Sequence, residues 1–224
     1  LFLLATATLP PAATTNAYLL GTREAILVDP GSPFPEELER LERALAAAHE
    51  QSGRKVVEIW LTHHPPDHVG GVEAMRARLG VPVAAHAETA RKLAARGLKV
   101  DRELRDGERV PLRGARGEED FVLTVHHTPG HARGHVALFA EASRSLIAGD
   151  LVAGLGTIVI DPPEGDMDDY LHSLERMVAL APQTLFPAHG PALDDGTARL
   201  RALIQHRLAR EAKVLAAWQR GLRR

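Results

Sequence analysis

The chain has 224 residues, of which 45% are hydrophobic and 25% charged, with a formal charge of −2. This near-average composition excludes a fibrous repeat and wholesale disorder, and it suits one compact domain. With no cysteine, disulfide scaffolds, cysteine-ligated zinc, iron–sulfur clusters and thiol nucleophiles are excluded too, which leaves twelve histidines to explain.

The first 22 residues carry no charge. Pro10, Pro11 and Asn16 interrupt them and no basic stretch precedes them, so residues 1–8 read as a buried strand rather than a signal or membrane segment, and a cytoplasmic protein is expected. Residues 17–20 and 25–28 read as further strands, the latter ended by Asp29-Pro30-Gly31. Leu38, Leu41 and Leu45 stand at helical spacing within residues 34–50. A strand follows at 56–61, then the loop Thr62-His63-His64-Pro65-Pro66-Asp67-His68-Val69-Gly70-Gly71. Next come a helix at 72–79, a strand at 82–85 and a helix at 88–95. Strands are expected at 109–112, 121–126, 135–139 and 145–148, a helix at 167–180, a strand at 184–186 and a long helix at 197–220. From residue 199 onward, eight Arg or Lys accompany the single acid Glu211. This tail reads as a solvated amphipathic helix, with a nucleic-acid patch as the alternative. No repeat or linker is visible, so the expected organisation is one domain over residues 1–196 with a helical segment over 197–224.

Four segments place histidine or aspartate in a loop directly after an expected strand, where side chains can converge at one sheet edge. They are Thr62 to His68, Thr128-Pro129-Gly130-His131, Gly149-Asp150 and Phe186-Pro187-Ala188-His189-Gly190. Imidazole and carboxylate together suit zinc, manganese or iron, and a carboxylate can bridge two ions.

These segments resemble, in order and spacing, the metallo-β-lactamase superfamily pattern of His-x-His-x-Asp-His followed by a distant His, an Asp and a last His. The resemblance implies a four-layer αββα sandwich of mixed α/β class. It also implies a hydrolase in which a metal-bound hydroxide attacks a thioester, lactone or phosphodiester. The implied ligands are His63, Asp67, His68, His131, Asp150 and His189, with Asp67 also orienting the nucleophile, and one or two divalent ions are expected, zinc first, with manganese or iron accommodated. Pro65 stands where the pattern has its second histidine. The first position (His63, His131, Asp150) therefore lacks a ligand, while the second (Asp67, His68, Asp150, His189) is complete. His64 is not expected to substitute, because neighbouring side chains in an extended segment point to opposite faces.

The bridging residue is Asp150 where the antibiotic-degrading branch has cysteine, which disfavours β-lactamase activity. Gly156-Thr157, Tyr170, Ser173-Leu174 and His206-Arg207 with Arg210-Glu211 are similar to the glyoxalase II-like and β-lactamase-like protein 2 branch. The implied partner is a small-molecule or ester substrate. The alternatives are a single-stranded RNA endonuclease, for which few aromatics are available, and a metal-binding protein that lost catalysis at position 65. Among the other histidines, His126 and His127 read as structural and His135 as supporting a ligand. His86 reads either as a pocket or a strand-end residue, and His49, His172 and His206 as helix-surface or packing residues. Aspartate is a common N-cap, which is the competing role for Asp67.

Overall fold

The computed structural model describes residues 1–114 and 117–221. Six strands, β1 (Phe2–Ala5), β2 (Thr14–Leu20), β3 (Glu24–Val28), β4 (Lys55–Leu61), β5 (Val83–Ala85) and β6 (Arg102–Glu103), make one sheet in chain order. The β1–β2 and β2–β3 pairs are antiparallel, and the pairs from β3 to β6 are parallel. Parallel neighbours need long crossovers. Here these contain α1 (Pro35–Ser52) between β3 and β4, α2 (Pro66–Val69) and α3 (Val72–Leu79) between β4 and β5, and α4 (Ala87–Ala94) between β5 and β6.

The second sheet is built from β7 (Arg109–Arg113), β8 (Glu119–His127), β9 (Val136–Ala140), β10 (Ser145–Gly149) and β11 (Thr184–Pro187), in the order β11-β10-β9-β8-β7. Helix α5 (Met167–Ala179) joins β10 to β11, and α6 (Gly196–Gly221) follows. No helix among the described residues is long and apolar enough to cross a membrane.

Strand alternation divides the core into three layers. Ile26, Val28 and Trp60 face Leu123, Val125, Leu138 and Ile147 between the sheets. Their neighbours Leu27, Ile59 and Leu61 face outward, where they pack with Leu38, Leu41 and Leu45 of α1 and with Val72 and Met75 of α3. On the far side Phe139, Leu146 and Ala148 meet Tyr170, Leu174 and Met177 of α5 and Leu200 of α6. The architecture is thus helices, sheet, sheet, helices, the expected αββα sandwich.

Local differences from the sequence reading have physical causes. The first strand is four residues long instead of eight, its pairing ending at Ala5↔Thr14 ahead of Pro10 and Pro11. Residues 66–69 form a helical turn with proline in its first turn, a position where the missing N–H costs nothing. Strand β6 is two charged residues at a sheet edge, with no hydrophobic alternation to announce it. The segment set apart as 197–224 is α6, of which residues 222–224 lie outside the described residues.

The topology positions the site. Strands β10 and β11 are parallel, and β9 is antiparallel to both β8 and β10, so β8, β10 and β11 end at one edge of the sheet. The end of β4 joins that edge, where the Val136 N–H donates to the Thr62 carbonyl at 2.9 Å.

Candidate metal centre

The chain leaves β4 through Thr62 and His63, then turns at Pro65 into α2, which carries Asp67 and His68. Pro65 occupies the N-cap position, so Asp67 lies inside the turn and does not serve as its cap. Helix α2 rests directly on the β3–α1 turn: a Cβ on Gly31 would fall 1.8 Å from the Asp67 carbonyl oxygen, and only glycine fits there. Past β10, Gly149 takes φ +51, and a Cβ there would lie 2.5 Å from His135 Nε2.

All six expected ligands converge. Asp150 lies at the middle and divides them by its two oxygens. Its Oδ2 faces His131 Nε2 at 3.6 Å and His63 Nε2 at 3.9 Å. Its Oδ1 faces His189 Nε2 at 3.4 Å and His68 Nε2 at 3.7 Å. Asp67 Oδ2 completes the second group, 3.5 Å from His189 Nε2 and 3.8 Å from His68 Nε2. His63, His68 and Asp150, and separately Asp67, His68 and His189, are spaced to share an ion.

Hydrogen bonds at the opposite ring nitrogens fix which nitrogen is free. His131 Nδ1 donates to the Val159 carbonyl at 2.6 Å and His189 Nδ1 to the Thr14 carbonyl at 3.0 Å. His68 Nδ1 donates to Asp29 Oδ2 at 2.9 Å. The Thr62 hydroxyl gives its proton to Asp29 Oδ2 at 2.6 Å, so it accepts from His63 Nδ1 at 3.0 Å. Every imidazole in the cluster therefore carries hydrogen on Nδ1 and turns Nε2 toward Asp150, the arrangement that metal-ligating histidines use. His63 Nε2, His68 Nε2 and Asp150 Oδ1 are buried with no hydrogen-bond partner among the described residues, which is costly unless a cation takes the space between them.

The titration behaviour points the same way. Burial opposes a charge on His68, yet Asp150 and Asp29 beside it raise its pKa to about 9, which marks a place where positive charge is favoured. Burial likewise pushes the Asp150 carboxyl up, but His68, His189 and His131 together hold it below the usual carboxylate range. Burial, reinforced by the neighbouring imidazoles, drives His63 well below the ordinary histidine value. The donor set and its field fit one or two divalent cations.

Of the residues that support the candidate ligands, His135 is expected from the sequence, and Asp29 is marked there only within Asp29-Pro30-Gly31. Its Oδ1 accepts the Thr62 N–H at 2.8 Å, so this one buried carboxylate orients both His68 and, through Thr62, His63. His135 supports Asp150: its Nε2 accepts the Asp150 N–H at 3.0 Å and its Nδ1 pairs with Thr128 Oγ1 at 2.8 Å. Complete burial lowers its pKa to about 3, so it stays neutral. His64 points elsewhere, with Nδ1 3.9 Å from Glu164 Oε1. His86 is the N-cap of α4, stacked on His127 with centroids 4.0 Å apart, and does not line the cleft. His49 and His172 are exposed on helices. His206 is exposed on α6 and also borders the cleft.

That cleft, about 770 Å³, opens above the cluster. Residues 7–12 form one wall and residues 153–159 another, with Pro65 and Pro66 beside Asp67, His131, Asp150 and His189 at the floor. Leu9, Leu155, Ile158 and Val159 make it largely apolar, and among the described residues no Lys or Arg lines it.

A family model described as the metallo-beta-lactamase superfamily matches residues 11–189. The chain is 30% identical over 203 residues to a beta-lactamase-like protein 2 homolog from Caenorhabditis elegans, covering 90% of this chain and 64% of the relative. It is also 30% identical over 206 residues to an atrochrysone carboxyl ACP thioesterase from Aspergillus chevalieri, covering 91% of this chain and 60% of that protein. The chain therefore spans less than two thirds of the length of these curated relatives. A metallo-beta-lactamase family protein from Thermus thermophilus superposes with a TM-score of 0.74 at 27% identity, covering 96% of this chain and 82% of that one. TTHA1623, solved in a di-iron-bound form, superposes with a TM-score of 0.63 at 30% identity, covering 86% and 95%.

Proposed function

The chain belongs to the metallo-beta-lactamase superfamily, and from that premise we propose that it is a metal-dependent hydrolase of thioesters or related activated acyl esters. The observation that carries this reading is Asp150, whose two oxygens are shared between two groups of imidazole nitrogens at the floor of an apolar cleft, with His63 Nε2 in one group and His68 Nε2 in the other buried without a partner among the described residues. His63, His131 and Asp150 Oδ2 would hold one ion. Asp67, His68, His189 and Asp150 Oδ1 would hold the other, with zinc the first candidate and manganese or iron also suited to these donors. When bound, such ions supply Lewis-acid polarisation of a carbonyl and make water acidic enough to be deprotonated near neutral pH.

The chain's own residues supply the rest. The apolar walls exclude water and bind an acyl group, and Asp67 at the floor orients the attacking water and accepts from it. A thioester is favoured over a phosphodiester because, among the described residues, no Lys or Arg lines the cleft to meet a phosphate. The thioesterase name borne by a relative agrees with this choice.

The two positions are unequal. Pro65 puts a ring without a donor beside the first position, and His64, turned toward Glu164, leaves it with three protein donors. The second position has four, so it binds more tightly.

The test is elemental analysis of protein purified without a histidine tag or chelator, paired with hydrolysis assays on acyl thioesters and on single-stranded RNA. Bound metal with thioester turnover that Asp67→Asn cuts by about 10² or more is the expected result. Absence of metal even at excess would overturn the reading. Turnover of RNA alone, with a steep salt dependence, would replace it by the nuclease.

A further inference from the structure

Arg207 projects from α6 far along the chain from any ligand, yet it grips the cleft wall. Its guanidinium donates to the Ile158 carbonyl at 2.7 Å and to Thr157 Oγ1 at 3.1 Å, and it lies 5.3 Å from the centroid of the Tyr170 ring. The residue after Ile158 is Val159, whose carbonyl takes the proton of His131 Nδ1 at 2.6 Å. Residues 157–160 belong to no strand or helix, so their own backbone does not fix them. Tyr170 braces the other side: its hydroxyl donates to the Leu151 carbonyl at 2.8 Å, and its Cα is so close to Gly130 that a Cβ there would lie 2.3 Å away. His131 is thus held through its main chain by the Gly130–Tyr170 contact and through its ring by Val159, and Arg207 touches both supports.

We propose that Arg207 is a positioning residue for the first metal position, acting through residues 157–159 to hold the His131 ring with its proton on Nδ1 and Nε2 toward Asp150. The His189 ring is held by Thr14, and its main-chain carbonyl accepts the Gly154 N–H at 2.8 Å, ahead of the residues that Arg207 touches. The part of the inference that concerns metal rests on the proposed metal centre; the part that concerns the His131 tautomer does not.

The experiment compares the parent chain with Arg207→Ala and Arg207→Lys. Long-range proton–nitrogen spectra of the imidazoles are recorded on metal-free protein at a pH where the rings are neutral, followed by titration with zinc alone. The parent should show a single Nδ1–H tautomer for His131. Arg207→Ala should show mixed tautomers for His131 and an unchanged His189, with roughly tenfold or greater loss of zinc affinity confined to the weaker position, as for other residues that orient a ligand. Arg207→Lys, which keeps the charge but reaches fewer acceptors, should fall between the two, and it decides the matter if the alanine variant does not fold. An unaltered His131 tautomer in both variants overturns the proposal. So does a change that affects His131 and His189 equally, since a general loosening of the fold would do that. If the parent binds no zinc, the metal centre fails while the tautomer spectra still decide the role of Arg207.

Discussion

Replacing Asn16 by alanine should lower stability by about 2 kcal/mol, the sum of two hydrogen bonds worth about 1 kcal/mol each. Asn16 is buried in β2, and the two hydrogens of its Nδ2 serve the carbonyls of Pro187 and Gly190, both at 2.8 Å and one on each side of His189, with a longer contact of 3.3 Å to the Tyr18 hydroxyl that adds no third full bond. Its backbone N–H donates to the Ala188 carbonyl at 2.8 Å and survives the substitution. The larger penalty of an orphaned carbonyl does not apply in full, because the Tyr18 hydroxyl still serves Pro187 at 2.6 Å and the half-buried Gly190 can meet water. Asn16 Oδ1 has no partner in the parent, so its removal adds no loss. Asn16→Asp should be worse, since it aims carboxylate oxygens at two carbonyl oxygens and can donate only when protonated. Its folded pKa is then raised, so its deficit grows as pH rises above about 3.9, the unfolded value. Urea unfolding of the metal-free proteins at two pH values measures both effects. The reasoning fails if Asn16→Ala lies within about 0.5 kcal/mol of the parent, the range of an ordinary surface change, or if Asn16→Asp is the milder substitution at neutral pH.

Pro65→His should tighten the weaker metal position by roughly tenfold or more and leave the stronger one unchanged, read by calorimetric titration with zinc; equal effects on both would contradict the assignment of Pro65 to the first position. Asp67→Asn should cut turnover by about 10² or more without changing the far-ultraviolet dichroism, the loss typical when a group that moves a proton is removed. Metal at about 100 times its dissociation constant should raise unfolding free energy by about 2.7 kcal/mol, and a chelator should reverse the gain. Glu141 is held down to about 2 by Arg109 and the Thr124 hydroxyl, so its stabilisation is present above its usual 4.5 and lost as pH falls toward 2. Glu141→Gln should therefore flatten the acid limb of a stability–pH curve, by less than about 1 kcal/mol because the pair is exposed and screened.

The segments that bear the candidate ligands are legible in the sequence because each puts a chemically distinctive side chain just past a strand whose alternation is plain. The orientation of His63 and His64 is legible too, since the extended chain after β4 forces them to opposite sides. Apart from His135, what supports the ligands is not. Thr14 and Val159 act through main-chain carbonyls, which leave no mark on side-chain identity. Asp29 reaches residues 33 and 39 positions away, and only tertiary structure brings them together. His206-Arg207 is marked in the sequence by resemblance alone, and nothing there shows that Arg207 reaches residues 157 and 158. In the fold, β6 leaves no signal because two charged residues at an edge have no pattern, and α2 is hidden because paired prolines read first as a loop.

The pairing of His189 with Thr14 spans 175 residues, and that of Asn16 with Gly190 spans 174. Closing loops this long costs entropy that early local contacts do not repay, so the cluster of candidate ligands is expected to form late in folding, as stopped-flow refolding with and without zinc would show. No short stretch of the chain can present the second set of donors by itself, so metal cannot nucleate the fold as it does in a zinc finger. Added zinc should leave the main refolding rate unchanged and act instead by slowing unfolding, turning metal occupancy into a kinetic lock on a chain that has already found its shape.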